Sequence, residues 1–407
     1  MSVGLAEIRQ AAALVRGQVV RTPLVKAERL SQQLGCELYL KLENLQATGS
    51  FKDRGAFVKL SSLTPEQRRR GVIAMSAGNH AQGVAYFAQR LGIPATIVMP
   101  EFAPFLKVER TRSFGARVLL AGDTLDASAV AARELAEKEG FAFVHPYDDE
   151  RIIAGQGTIG LELIEDLAEL DAVIVPIGGG GIISGIALAT KALKPSIRLF
   201  GVEVAQFPSM YQALRGLPAT SGGTTLADGI AVKNPGKLTL PIIQELVQEV
   251  LIVDEPAIEQ AICSLAEQQK LVAEGAGAAG VAALLAEPQR FAGLKIAAVL
   301  CGGNIDVRLF STVLARGLVR DGRLVRLRVE IVDKPGVLAQ ITRVIGETGG
   351  NIIEVYHQRM LYNVPAKQAE VDVVVETKNA GHVSEIIQRL QAVGLPSRVL
   401  SARSDAD

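Results

Sequence analysis

Lys52 is set apart by its neighbours: in SFKDRGA (50–56) it is flanked by an aromatic ring, a hydroxyl, small residues and a second cation, Arg54. A lysine held in a partly apolar pocket near another positive charge loses basicity, because desolvation and like charge both disfavour the ammonium form. Its neutral amine can then attack a carbonyl and form a Schiff base. Taken alone, a lysine is more often an ordinary surface cation at a helix start, so the surrounding motifs decide. The run Gly178-Gly179-Gly180-Gly181-Ile182, followed by Ser184-Gly185, lies between a buried strand and a helix start. Backbone N–H groups there can close around an anion without interference from Cβ atoms, helped by the helix dipole. The pattern is neither a Walker loop nor a GxGxxG fingerprint, and a flexible turn is the simpler alternative. Ser76-Ala77-Gly78-Asn79-His80 likewise turns a strand into a helix and offers N–H groups and a hydroxyl suited to a carboxylate. Cys301, in Cys301-Gly302-Gly303-Asn304, follows a buried strand, where open α/β sheets place ligand contacts, although a buried structural thiol fits equally well.

The elements that must position these residues alternate along the chain. Apolar residues from Ile8 to Val15 recur at helical spacing, and a short strand follows at Glu37 to Lys41. Ser50 suits an N-cap, with a helix running through Leu60 and Lys52 in its first turn. Strands are expected at Gly71–Met75, Ala95–Met99, Arg117–Leu120, Ala172–Pro176, Leu199–Val204 and Ile296–Leu300, with helices between them. One of these helices is expected to open at Gly155-Gln156-Gly157-Thr158. Such alternation implies a doubly wound, mostly parallel sheet. The composition shifts near Gly317 to Arg323. Strands at Leu324–Ile331, Asn351–Arg359 and Ala369–Thr377, a helix from Asp333-Lys334-Pro335-Gly336, another over Ala380–Ala392 and a short last strand then give βαββαβ, the ferredoxin-like order. This second part has no catalytic cluster, and His357 reads as a surface or interface residue.

At 407 residues the chain is too long for one typical core. Lys plus Arg and Asp plus Glu both number 43, so no overall field favours nucleic acid, a membrane surface or a polyanion, and a small-molecule substrate is expected. Abundant aliphatic residues and glycine with no tryptophan suit Val, Ile and Ala-rich parallel strands under helices. Cys36, Cys263 and Cys301 form an odd, widely spaced set, which suggests neither a disulfide framework nor a zinc site. Glu7, Arg9 and Arg16 break any signal-like run at the N-terminus and no stretch is apolar enough to span a bilayer, so a cytoplasmic enzyme is expected.

Together SFKDRGA (50–56), SAGNHAQG (76–83), the GGGGI loop (178–182), CGGN (301–304), DKPGVL (333–338) and GNIIEVYHQR (350–359) resemble the serine/threonine dehydratases of the fold-type II pyridoxal-phosphate enzymes, joined to a C-terminal ACT regulatory domain. The resemblance covers nearly the whole chain. It implies an α/β catalytic region over residues 1–320 with two doubly wound, mostly parallel sheets, the smaller subdomain being inserted at about 53–148, and a ferredoxin-like α+β ACT domain over 324–403. It makes pyridoxal 5'-phosphate the cofactor, Lys52 the Schiff-base lysine and Phe51 a neighbour of the cofactor ring. Gly178, Gly179, Gly180, Gly181 and Ile182 become the phosphate cradle, Asn79 the partner of the ring's 3'-oxygen, and Cys301 the residue facing the pyridine nitrogen. Ser76, Ala77, Gly78, Asn79 and His80 would hold the substrate carboxylate. The implied reaction takes L-threonine to 2-oxobutanoate and ammonia, and L-serine to pyruvate.

Serine racemases of this fold carry a second serine, the opposite-face base, where this chain has Ala77, so racemisation is disfavoured. Their divalent-metal site is matched only by Glu203, with Phe207 and Ser209 at the other positions, so no tight divalent site is expected there, while a monovalent ion stays open. The ACT resemblance implies an amino-acid effector, isoleucine or valine, with Gly336 and Asn351 in the binding loops, serving isoleucine synthesis or threonine breakdown. A homodimer or homotetramer is expected. The rival readings are a racemase-like enzyme and a catalytically silent amino-acid sensor.

Overall fold

The computed structural model describes residues 3–358 and 368–400. Arg359, the last residue of the strand expected from Asn351, and residues 401–403 of the expected ACT region fall outside that range. The chain forms two compact units, Met1–Asp306 and Val307–Asp407.

The first unit is built on two sheets. The larger has six strands in the spatial order Leu24–Lys26, Glu37–Lys41, Lys295–Val299, Ala172–Pro176, Arg198–Val204 and Glu249–Val253. All pairings are parallel except the edge pairing of Leu24–Lys26 with Glu37–Lys41. Ala172–Pro176 is buried at every position, as expected of a strand with helices on both faces. The smaller sheet is wholly parallel, in the order Arg117–Leu120, Ala95–Met99, Val72–Met75 and Ala142–Phe143. The adjacent parallel strands Ala172–Pro176 and Lys295–Val299, central in the sheet, bring the glycine run and Cys301 out at their carboxyl ends. Val72–Met75 delivers Ser76–His80 in the same way from the smaller sheet.

Two local expectations need correction. Ser50 does not cap the Lys52 helix, which spans Lys52–Ser61 with Phe51 at its N-cap position. Ser50 instead pairs with Gly302 in an isolated antiparallel bridge, which takes its backbone out of capping geometry. Nor does Gly155-Gln156-Gly157-Thr158 open a helix. It lies inside Glu150–Asp166, whose start is set by Asp149, the side chain accepting from the N–H groups of Arg151 and Ile152. These glycines serve close helix packing: a Cβ on Gly155 would stand 2.7 Å from Gly55 Cα, and one on Gly157 would stand 2.8 Å from Ile8. Periodicity alone does not separate a glycine that begins a helix from one that lets another helix approach.

In the second unit the four-stranded sheet runs in the order Asn351–Gln358, Gln368–Glu376, Leu324–Val332 and Ser397–Val399, antiparallel throughout. Helices Val337–Glu347 and Ala380–Ala392 complete the ferredoxin-like order. Its core is apolar: Leu327, Val329, Val371 and Val373 from the sheet pack with Ile341, Ile345, Ile386 and Leu390 from the helices.

Candidate active site

Lys52 begins its helix half-buried, its Nζ donating to the Pro146 carbonyl at 2.7 Å and lying 5.0 Å from the centroid of the Phe51 ring. Burial lowers its pKa to about 8, although Cys301 and Glu274 nearby act to raise it. The helix is anchored immediately after it. Asp53 accepts from the Thr48 N–H at 3.1 Å and from the Thr48 hydroxyl, and burial pushes its carboxyl up to about 6. Arg54, with no exposed surface, reaches Glu43 at 2.8 Å, Glu162 at 2.6 Å and Thr158 at 3.1 Å. Lys41 meets the same Glu162 at 2.6 Å.

Asn79 opens the helix Asn79–Arg90. Its Nδ2 donates to Glu274 Oε1 at 2.7 Å, and its Oδ1 accepts from Asn304 Nδ2 at 2.8 Å. Asn304 Nδ2 also donates to the Thr48 carbonyl at 2.7 Å. Cys301 and Glu274 join this group: the Phe51 N–H donates to the Cys301 carbonyl at 3.0 Å, and the Glu274 N–H to the Gly302 carbonyl at 3.1 Å. Burial, followed by the Asp228 charge, raises the Glu274 carboxyl to about 7. Burial, with Glu274 adding to it, keeps Cys301 a thiol well above its ordinary range.

In the Ser76–His80 turn the Ser76 hydroxyl accepts from the Gly78 N–H at 3.1 Å. The N–H groups of Ala77, Asn79 and His80 find no acceptor among the described residues. The His80 ring turns into the core, its Nε2 bonded to the Val144 carbonyl at 2.9 Å. Burial and the Lys52 charge lower its pKa to about 3, so the ring is neutral.

In the glycine run, Gly180 takes φ +94° and caps the helix Gly181–Leu193. A Cβ on Gly179 would overlap the Tyr147 ring, and one on Gly181 would stand 3.0 Å from Tyr147 Cβ. The Gly179 carbonyl accepts from Thr239 Oγ1 at 2.6 Å and from the Gly236 N–H at 3.2 Å. The N–H groups of Gly178 to Ile182 have no acceptor among the described residues. A loop with its carbonyl satisfied and its N–H groups open is an anion cradle.

Sequence reasoning passed over several of these contacts. Pro146 and Tyr147, whose residue types announce no chemistry, touch the lysine and the cradle. Glu274 lies among small residues just ahead of a helix. The signal that could have marked it is a single carboxylate in an otherwise apolar Val272–Gly277 run. Glu203 is bonded by the N–H groups of Met210 at 2.9 Å and Tyr211 at 2.8 Å. Among the described residues no three His, Cys, Asp or Glu side chains gather as a metal site.

The adjacent residues Pro146 and Tyr147 touch, respectively, an amine of lowered basicity and the glycine run, an arrangement suited to a phosphorylated carbonyl compound. The chain belongs to the pyridoxal-phosphate-dependent enzymes: the model of that family matches residues 15–302. An ACT domain model matches residues 321–394. The chain is 46% identical over 400 residues to an L-threonine ammonia-lyase of Thermotoga maritima, covering 98% of this chain and 100% of that protein. It superposes on the processed form of threonine deaminase isoform 2 from Solanum lycopersicum with a TM-score of 0.72, at 37% identity, covering 76% of this chain and 86% of that one. Maize serine racemase gives a TM-score of 0.72 at 35% identity, covering 79% of this chain and 99% of that chain. No described helix is long and apolar enough to cross a membrane.

Proposed function

We propose that the chain deaminates L-threonine to 2-oxobutanoate and ammonia, and L-serine to pyruvate, with pyridoxal phosphate bound at Lys52. The observation that carries this reading is an amine lowered to about 8 by burial, set among open N–H groups suited to two anions, the cofactor phosphate and the substrate carboxylate. The residues fit the cofactor. Gly178 to Ile182 offer N–H groups with no acceptor among the described residues, where side chains would intrude, and the Ser50 hydroxyl, two residues before Lys52, is buried with no partner among the described residues.

When bound, pyridoxal phosphate supplies an aldehyde for the amino group and an electron sink for the electrons of the Cα–H bond. Lys52 supplies the amine that holds it, with Phe51 packed beside that amine. Once substrate has taken its place, the neutral Lys52 Nζ accepts the Cα proton, the electrons left behind form the Cα–Cβ double bond, and the β-hydroxyl leaves as water with the equivalent of that proton; the released 2-aminocrotonate then takes up one water to give 2-oxobutanoate and ammonia. The N–H groups of Ala77, Asn79 and His80, at the Ser76–Gly78 turn, hold the substrate carboxylate and so fix which Cα bond is broken. Asn79 has a second Nδ2 hydrogen for the ring oxygen. Cys301, neutral as a thiol, gives no negative charge to hold a proton on the ring nitrogen, which favours elimination over deeper carbanion chemistry. Ala77 carries no hydroxyl to act as a base on the opposite face, which separates this reading from racemisation.

The catalytic region is read as residues 1–320, with the small sheet inserted at about 53–148, and the regulatory domain as 324–403. The ACT domain is read as an amino-acid sensor. Gly336, at φ +89° before the helix Val337–Glu347, and the exposed Asn351 are its proposed contacts for isoleucine or valine, formed between copies in a homodimer or homotetramer. Three free cysteines fit a cytoplasmic setting.

Purified protein with pyridoxal phosphate should release 2-oxobutanoate from L-threonine; no 2-oxoacid from threonine or serine would reject the activity. Isoleucine should change that rate, and Asn351→Ala should blunt the change without altering the basal rate. An unaltered response in Asn351→Ala would remove Asn351 from the sensor.

A further inference from the structure

Glu274 occupies the N-cap position of the helix Gly275–Ala286 but makes no capping bond with its side chain. The carboxylate is turned away from the open helix N–H groups and is buried, with 5% of the residue exposed. It forms no ion pair among the described residues, although Asp228, Lys107, Lys52 and Cys301 all act on it or feel it electrostatically. Burying a carboxyl without a cation is costly, and the neighbouring chain is shaped to allow it. Gly302 has no Cβ where one would overlap the Glu274 carboxyl. Immediately before this turn, Leu265–Gln269 is a π-helical turn, and Lys270 takes φ +59°, a left-handed conformation that non-glycine residues seldom adopt.

The carboxyl is spent on Asn79. The bonded chain has two fixed ends. The Thr48 carbonyl can only accept, so Asn304 must turn its Nδ2 towards it, and the second hydrogen of that nitrogen goes to Asn79 Oδ1. Asn79 is then obliged to turn its Nδ2 to Glu274, which as a carboxylate also only accepts. One Nδ2 hydrogen remains, with no acceptor among the described residues. We propose that Glu274, with Asn304 opposite, is a positioning residue that locks the Asn79 amide so that this hydrogen is held ready for the anionic oxygen of the cofactor ring. The inference rests on the reading of Asn79 as the partner of that oxygen. It gives the buried carboxylate a task that neither helix capping nor ion pairing explains. An amide free to flip would present its oxygen to the anion for part of the time, and affinity would fall accordingly.

The test is a double-mutant cycle read as the dissociation constant of pyridoxal phosphate, measured by equilibrium dialysis on the full chain. In Glu274→Gln the new NH2 group opposes the Asn304 N–H that faces the carboxylate and frustrates the fixed order of donors and acceptors. Glu274→Gln and Asn304→Ala, each made singly, should weaken cofactor binding about tenfold, as expected for one charge-assisted bond. Asn79→Ala should weaken it by at least as much. In the Asn79→Ala background, measured at about pH 9 where Lys52 is mostly neutral with or without the Glu274 charge, the same Glu274→Gln change should alter affinity by less than about twofold, because its remaining effect passes through Asn79. The same loss in both backgrounds, or undiminished affinity in both Glu274→Gln and Asn304→Ala, would overturn the proposal. Undiminished affinity in Asn79→Ala alone would instead remove the reading of Asn79 on which it rests, and is seen without touching Glu274. Should Glu274→Gln fail to fold, Asn304→Ala completes the same cycle from the other end.

Discussion

The helix Lys52–Ser61 separates two regions that bury charge in opposite ways. On one side Arg54 and Lys41 meet Glu43 and Glu162, two cations against two carboxylates, with bonds of 2.6 to 2.8 Å. Burial alone would push the Glu43 carboxyl up, but Arg54 and Lys41 hold it below its ordinary range, and Glu43 with Glu162 hold Arg54 above its own. On the other side Lys52, Glu274, His80 and Cys301 are desolvated without matched partners. Lys52 falls to about 8, Glu274 rises to about 7 and His80 falls to about 3. The same burial therefore yields permanent charges where partners are matched, and groups whose charged forms are disfavoured where they are not. Paired burial fixes the scaffold; unpaired burial makes the chemistry.

The sharpest way to break this comparison is on the unpaired side. Lys52→Ala removes the amine proposed to hold the cofactor and accept the Cα proton, so 2-oxoacid formation should fall at least about 10³-fold. The thermal midpoint should stay near that of the parent, since among the described residues Lys52 donates only to the Pro146 carbonyl. A large drop in stability with residual turnover would mean that the lysine is a structural anchor like Arg54. Arg54→Met should behave in the converse way. It leaves Glu43 and Glu162 buried with only Lys41 to balance them, which should cost about 3–5 kcal/mol in urea denaturation. A cost below about 1 kcal/mol would show that the cluster is not the fixed scaffold described above.

Much of this arrangement was legible in the chain itself. The strands at 95–99, 117–120 and 172–176 fall where the apolar runs place them, and the ferredoxin-like order of the tail follows from alternation and turn residues close together in sequence. SFKDRGA and the glycine run announce an amine and an anion cradle through residue types whose chemistry is local. The matched cluster was not legible, because Arg54 finds Glu43 at a separation of 11 residues and Glu162 at 108, and only the folded sheet brings them together. Glu274 was hidden for a different reason. A carboxylate just ahead of a helix reads as a cap, and nothing local shows that it turns instead to an asparagine 195 residues away.

The cradle sharpens the comparison through shape. Gly179→Ala changes no charge, but its Cβ would overlap the Tyr147 ring, whose hydroxyl donates to the Asn234 carbonyl at 3.1 Å. Displacing that ring from the loop should cost about 1–3 kcal/mol, roughly tenfold in the dissociation constant of pyridoxal phosphate. An unchanged constant would mean that the loop N–H groups do not hold the phosphate.

The smallest expected effect is a shift in pH. An amine attacks an aldehyde only in its neutral form, so if Lys52 captures the cofactor, the rate at which the apoprotein takes up pyridoxal phosphate should rise with pH through a midpoint at about 8, well below the range of an exposed lysine. The Glu274 carboxylate favours the ammonium form and holds that midpoint up. Glu274→Gln removes this negative charge and should move the midpoint to lower pH, so that at pH 7 a larger fraction of Lys52 is neutral and capture is faster even though the final complex is weaker. Arg54→Lys keeps the charge on the matched side and should leave the midpoint where it is. Stopped-flow absorbance across pH 6 to 10 resolves both. A midpoint that moves in Arg54→Lys but not in Glu274→Gln would mean that the matched cluster, and not the unpaired carboxyl, sets the basicity of the lysine.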